Sequence, residues 1–260
     1  MSDIKKGLLV QIDVVKALIL RETRTRFGAS NIGYLWALIE PVIWILTFYI
    51  AFLFLGKNTP YGTTLISFIT SGLIPFLLFR QIVNNCMNAI DANKALLFYP
   101  QVKPLDLILA RTLLEMTTIS VIFLILIGLD LLLFHDYELN HLLNICLSLI
   151  FVSFIAMGIG TTFAAIAINF DSIRRIVPPI VRVLFFVSGI FYTPLLLGNN
   201  LHSIVMYNPI SNAIEMLRSA LFIGYQNEQY DVFYMLEWLL ISNAVGLLLL
   251  RISQKKLELV

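Results

Sequence analysis

The chain has 260 residues, 59% of them hydrophobic and 13% charged, with a mean hydropathy of +0.87. A soluble domain needs about a quarter of its residues charged to wet its surface, so this composition excludes one and points to an integral membrane protein. The formal net charge is only +2; no nucleic-acid partner is expected, and where the cations lie along the chain says more than their sum.

The first dozen residues lack an uninterrupted apolar run and a small-residue cleavage site, so no segment is expected to be removed and the first span must serve as the insertion signal. On a helix, Leu8, Ile12, Val15 and Ile19 share one face with Val14 and Leu18 beside it, while Asp13, Lys16, Arg21 and Arg24 collect opposite. That pattern predicts an amphipathic helix over 8–27 lying on the membrane surface, its cations against anionic headgroups; Leu9, Val10 and Leu20 depart from it. Gly28 and Gly33 then let the chain turn, and Tyr34 and Trp36 fall at headgroup depth, where amphipathic rings are favoured. A hydrocarbon core of about 30 Å takes roughly 20 apolar residues in a helix. Six stretches qualify, at about 34–55, 63–90, 105–134, 141–169, 176–193 and 232–250. Their long unbroken apolar runs argue against a β-barrel, which needs short alternating segments.

The cations divide unevenly among the connections. Lys5, Lys6, Lys16, Arg21, Arg24 and Arg26 precede the first span, Lys94 and Lys103 follow the second, Arg174 and Arg175 follow the fourth, and Arg251, Lys255 and Lys256 close the chain. The alternate connections hold Lys57 and Arg218. By the positive-inside rule both termini face the cytoplasm, which requires an even number of spans. Between the fifth and sixth spans, residues 194–225 are less apolar and carry Pro194 and Pro209, a texture that fits a pair of short re-entrant or interfacial helices on the outward side.

Much familiar chemistry is missing. Gly56-Lys57 has neither the preceding glycine nor the following Ser/Thr of a phosphate-cradling loop, so the chain is not expected to hydrolyse ATP. Cys86 and Cys146 have no metal or disulfide pattern and read as buried packing residues. His135, His141 and His202 lie in or near outward connections without metal-ligand spacing, and Asp136 and Glu138 beside His135 read as a solvated turn rather than an enzymatic carboxylate pair. No catalytic residue and no metal site is expected.

The charges inside the spans are Glu40, Arg80, Arg111, Glu115 and Arg182, with Asp130 nearer the outer end. Each costs about 2.5–3.5 kcal/mol at mid-helix unless paired or wetted. The topology puts Arg80, Arg111 and Arg182 toward the cytoplasmic side. They either snorkel to the inner headgroups, with Arg111 and Glu115 paired at i, i+4, or line a cavity as an electropositive mouth for an anionic substrate. Asn84, Asn85 and Asn88 add hydrogen-bonding capacity after Arg80. Trp44, Phe48 and Tyr49 could stack on sugar faces or simply pack against lipid and neighbouring helices.

Three stretches carry a resemblance: ALILRETRTRFGASNIGYLWALIEP (17–41), ALLFYPQVKPLDLILAR (95–111) and YNPISNAIEMLRSALF (207–222). They are similar to the permeases of ABC-2 type transporters, which place an Arg-Glu pair, here Arg21-Glu22, and a Gly-x-x-Trp, here Gly33 and Trp36, before a proline in the first span. Members also carry an Asn-Pro element, here ending at Pro209, followed by a Glu and an Arg three residues apart, here Glu215 and Arg218. Within the family the likeness is to the permease subunit of Gram-negative capsular polysaccharide exporters, in the inner membrane.

The resemblance implies a single transmembrane domain over 1–260 that pairs with a second copy of itself and with two ATPase subunits that bind ATP and Mg. It also implies periplasmic and outer-membrane export proteins as partners and a lipid-linked, anionic glycan as cargo. Residues 91–104 become the coupling segment, with Asn93, Lys94, Leu96, Leu97, Phe98, Tyr99 and Pro100 offered to the ATPase as helix-in-groove recognition offers an apolar face. Pro100 and Pro104 stiffen its exit into the third span; otherwise it is an interhelical loop. Glu40, Trp44, Arg80, Asn84, Arg111 and Arg182 are the expected substrate path, and Arg21, Glu22, Gly33, Trp36, Pro209, Glu215 and Arg218 the gating framework. O-antigen, teichoic acid or a small molecule are alternative cargoes, and a membrane enzyme acting on lipid-linked sugars is the alternative class.

Overall fold

The computed structural model describes residues 2–27, 33–56, 63–133, 141–222, 225 and 230–257. Gly28, Lys57, His135, Asp136 and Glu138 lie outside the described residues, as do the side chains of Lys6, Arg26, Tyr34, Lys255 and Lys256. In chain order the helices are α1 (Ser2–Phe27), α2 (Gly33–Phe54), α3 (Leu65–Met87), the single turn α4 (Ala89–Ala92), α5 (Pro104–Leu133), α6 (Leu142–Asn169), α7 (Ile173–Val187), α8 (Asn199–Met206), α9 (Pro209–Leu221) and α10 (Val232–Leu257). Short 3-10 turns occupy Lys94–Phe98 and Pro194–Leu196.

The helix starts follow local chemistry. Thr64 accepts from the Ser67 amide ahead of α3, and Asn208 accepts from the Ile210 amide with Pro209 preset at the first position of α9. Asp231 takes the amides of Phe233 and Tyr234 at 2.9 and 3.1 Å at the head of α10.

Among the described residues five helices, α2, α3, α5, α6 and α10, are long and apolar enough to cross a membrane, and each falls where the sequence places a span. The expected span at 176–193 differs. Its helix, α7, has 15 residues and reaches about 22 Å at 1.5 Å per residue, short of a hydrocarbon core of about 30 Å. Beyond Val187 the chain leaves the helix at Ser188 and turns through Gly189, whose φ of +71° suits a residue without Cβ.

α3 is the hub. Every residue from Ser67 to Phe79 is buried, and α2, α5, α6, α7 and α9 pack around it. Glycines set the closest approaches: a Cβ on Gly160 would come within 2.7 Å of Cys86 Cβ on α3, and one on Gly158 within 2.6 Å of the α10 backbone at Asn243. Cys86 is buried as expected, but Cys146, on the second turn of α6, is exposed.

Residues 91–104 mark one end of the bundle, called the lower end. α1 reaches it through Arg21, whose Nη1 donates to Asn93 Oδ1 at 2.9 Å. α10 reaches it through Gln254, which lines a cavity with Asp91, Lys94 and Asn169. The upper end holds α9, where Ser148 near the head of α6 donates to the Ala213 carbonyl and Asn212 accepts from the Asp231 amide. α7 starts low and α10 starts high, so α7 and the segment after it together carry the chain between the two ends.

Candidate functional site

At the lower end, the connection from α3 to α5 and the one from α6 to α7 meet in a charged junction. Asp91 pairs with Lys94 at 2.6 Å and with Arg174 at 3.2 Å, and Arg174 also takes Asp171 at 2.5 Å. The Lys94 hydrogen bond, with the Arg174 and Lys94 charges, holds the Asp91 carboxyl below the ordinary carboxylate range, so the junction stays ionised as pH falls toward that range. Beside it lies a cavity of about 1090 Å³ bounded by Leu97, Phe98, Tyr99, Pro100, Asn169 and Gln254. Within the expected coupling segment the residues divide. Asn93 is buried and bound to Arg21, Leu96 and Leu97 are half-buried against the chain's own core, and Phe98 and Tyr99 are 84% and 64% exposed. Lys94 and Pro100 are also exposed.

The same end ties α1 to the bundle. Leu18 is buried, with Val14, Val15 and Ile19 packed beside it against the core, while Leu8, Leu9, Val10, Ile12 and Leu20 remain exposed. Arg111 Nη2 pairs with Glu22 at 3.0 Å and its Nη1 donates to the Asn85 carbonyl at 2.8 Å. The expected i, i+4 pairing of Arg111 with Glu115 is thereby corrected. Glu22 takes the guanidinium from across the helix interface, and Glu115 accepts from Asn85 Nδ2 at 2.6 Å. Glu22→Gln is expected to loosen α1 from α5, raising amide hydrogen exchange in residues 8–27 several-fold while the α5 amides stay protected; unchanged protection in α1 would refute the clasp.

Along α2, α3 and α7 a second group assembles. Arg80 Nη2 meets Glu40 Oε1 at 2.6 Å, with the side chains 28% and 37% exposed, and its guanidinium carbon lies 5.8 Å from the Trp44 ring centre. Trp44 stacks on Phe48 at 5.7 Å, Phe48 meets Phe191 at 4.4 Å, and Phe185 packs among Trp44, Phe48, Phe76 and Phe191. Asn84 is half-buried one turn down α3 from Arg80, its Oδ1 without a partner. Arg182 is exposed on α7, and no hydrogen bond or ion pair to it occurs among the described residues. Of the expected path residues, Glu40, Trp44 and Arg80 come together, whereas Arg111 turns to α1. Trp36 is 62% exposed near the start of α2.

At the upper end Arg218 is fully buried on α9. Its Nη1 donates to the carbonyls of Gly189 and Tyr192 at 2.8 and 3.2 Å, its Nη2 to those of Ile190 and Phe68 at 2.7 and 3.4 Å, and its Nε to Ser71 Oγ at 3.3 Å. Glu215, on the same helix, takes Nη1 at 3.3 Å and the Tyr225 hydroxyl at 2.7 Å. The guanidinium carbon rests 3.9 Å from the Phe68 ring centre, and a Cβ on Gly72 would come within 2.7 Å of Nη2. Non-helical backbone at membrane depth survives only where protein or water satisfies it, and Arg218 supplies those donors for the segment after α7. Sequence spacing pairs Glu215 with Arg218; nothing in it signals the carbonyls of 189–192 or the small residue at Gly72. Sequence reading also leaves Asp130 without a partner, where the structure gives it Ser67.

The family model for ABC-2 type transporters matches residues 13–222. The chain belongs to the ABC-2 type transporter family. Among its relatives, the polysialic acid transport protein KpsM of Escherichia coli is 31% identical, covering 96% of this chain and 97% of that protein. The capsule polysaccharide export inner-membrane protein BexB of Haemophilus influenzae is 28% identical over 94% and 91%. The O-antigen export system permease protein RfbA of Klebsiella pneumoniae is 24% identical over 87% and 86%. The family match takes in most of α1, the Glu40–Arg80 pair, the 91–104 connection and the Glu215–Arg218 clamp.

Proposed function

We propose that the chain is the permease subunit of an ATP-driven exporter that moves a lipid-linked, anionic capsular polysaccharide from the cytoplasm across the bacterial inner membrane. Two copies pair and bind two ATPase subunits, which hold the ATP and Mg; periplasmic and outer-membrane export proteins receive the product. The lower end faces the cytoplasm with both termini, and the chain crosses six times, the fifth crossing being made by α7 with the Arg218-bound segment. α1 lies along the inner surface, and α8 and α9 dip into the outer leaflet.

The observation that carries this reading is the exposed Phe98–Tyr99 tip beside the lower cavity, in a chain whose relatives over nearly their full length include the polysialic acid and capsule polysaccharide transport proteins. An aromatic pair left in water on a short turn is costly unless a partner covers it. Force applied there has a direct route upward: Asp91 is tied to Arg174 at the foot of α7, and α7 carries Phe185 into the aromatic group and ends at the carbonyls that Arg218 binds. ATP-driven closure of the ATPases would rock α7 and open the passage.

The test is Phe98→Asp, which is expected to weaken co-purification of the ATPase subunit by about tenfold, the scale of an interface anchor worth roughly 1–2 kcal/mol, with insertion unchanged. Full ATPase binding by the variant would count against the coupling role. Leu96→Ser and Leu97→Ser should instead act indirectly, by unseating the turn from the core.

A further inference from the structure

The Glu40–Arg80 pair occupies a surface that lipid cannot cover cheaply. It lies about 10 Å above the lower end of α3, counted at 1.5 Å per residue from Met87, and both side chains are partly exposed. Charge facing hydrocarbon at such depth is expensive, so this face is wet or covered by protein. Beside it stands Trp44, with its ring near the guanidinium, while the unpartnered Asn84 oxygen one turn below Arg80 is itself buried. A planar guanidinium matches a carboxylate, and an indole ring offers an apolar face to the C–H side of a pyranose.

We propose that Arg80 is the subsite that reads the carboxylate of the cargo, and that Glu40 is its resident occupant, an internal carboxylate that a carboxylated pyranose displaces. This rests on the export reading above. The exchange conserves charge: Arg80 gives up one carboxylate for another and is never left unpaired, while the half-exposed Glu40 turns to water. A neutral sugar brings no anion to replace Glu40 and leaves the ion pair closed. Glu40 therefore sets a threshold that only a carboxylated unit passes, and the site selects by competition rather than by attraction alone.

The experiment uses the complete transporter, permease with its ATPase, reconstituted in vesicles and read by ATP turnover. The probes are a lipid-anchored oligosialic acid and the same oligomer with its carboxyls reduced to alcohols. The wild type is expected to respond to the carboxylated probe at roughly tenfold lower concentration than to the reduced one, the scale of one charge-assisted hydrogen bond. Arg80→Gln should bring the two probes to parity, and Glu40→Gln should lower the concentration of carboxylated probe required. The exchange Glu40→Arg with Arg80→Glu restores an ion pair, and with it assembly, but places both charges wrongly; it should assemble and lose the preference. A preference that survives in Arg80→Gln or in the exchanged protein overturns the subsite while leaving the export reading intact. A transporter that responds to neither probe overturns the export reading and the subsite together.

Discussion

Arg218→Met is expected to cost most of the protein's stability and all of its export. Removing one partner of a buried ion pair costs about 3–5 kcal/mol, against a total of about 5–15 kcal/mol for a folded domain. The carbonyls of Gly189, Ile190 and Tyr192 lose their donors as well, at roughly 1–3 kcal/mol for each group left buried and unmet. Arg218→Lys keeps the charge but replaces a planar fork of five donors with a compact ammonium, so it should fall between wild type and Met. Glu215→Gln added to Arg218→Met should recover the part due to the stranded carboxylate and leave the part due to the carbonyls. Melting temperatures in detergent micelles decide the order. A single variant as stable as wild type would mean that the turn after α7 is held by something other than this guanidinium.

That clamp also marks where sequence reasoning stops. Five spans are legible because the hydrocarbon core imposes a length and an apolar run that no other element satisfies, and α2, α3, α5, α6 and α10 obey it. α7 is apolar enough to be counted, but it stops after 15 residues and the chain runs on as irregular backbone, held by a residue on another helix nearly thirty positions later. Arg111 makes the same point. The i, i+4 rule sees Glu115, yet the guanidinium finds Glu22 on α1, a contact set by how two helices cross and not by spacing within either. Glu40 and Arg80 are each legible as charges inside spans, while their pairing requires the register of α2 on α3. In the 91–104 connection the apolar run Leu96-Leu97-Phe98 reads as one face, but a 3-10 turn splits it, seating the leucines on the core and leaving Phe98 outside.

The glycines of α6 carry a second large effect. Gly158→Ala is expected to destabilise the protein by about 2–3 kcal/mol, toward the upper part of the range for overpacked cores. Its Cβ would lie 2.5 Å from Ser242 Oγ and 2.6 Å from backbone atoms of Ser242 and Asn243 on α10. A hydroxyl can swing away; a helix backbone cannot, so α6 and α10 must separate. The approach is reciprocal, since a Cβ on Gly246 would come within 2.8 Å of the Gly158 carbonyl, and Asn243 Nδ2 bridges the same seam to the Phe154 carbonyl at 2.9 Å. In a membrane, where lipid is as apolar as the helices and burial drives nothing, such close packing is the main source of helix association, so the loss is not offset by any gain in burial. Gly128→Ala on α5 is the matched control. A Cβ there meets nothing within 4 Å, and alanine should gain about 0.5–1 kcal/mol from helix propensity alone. The two variants make the same chemical change in the same kind of element, so the difference in their melting temperatures isolates the α6–α10 contact. If Gly158→Ala proved as stable as Gly128→Ala, the two helices would not be packed at this seam.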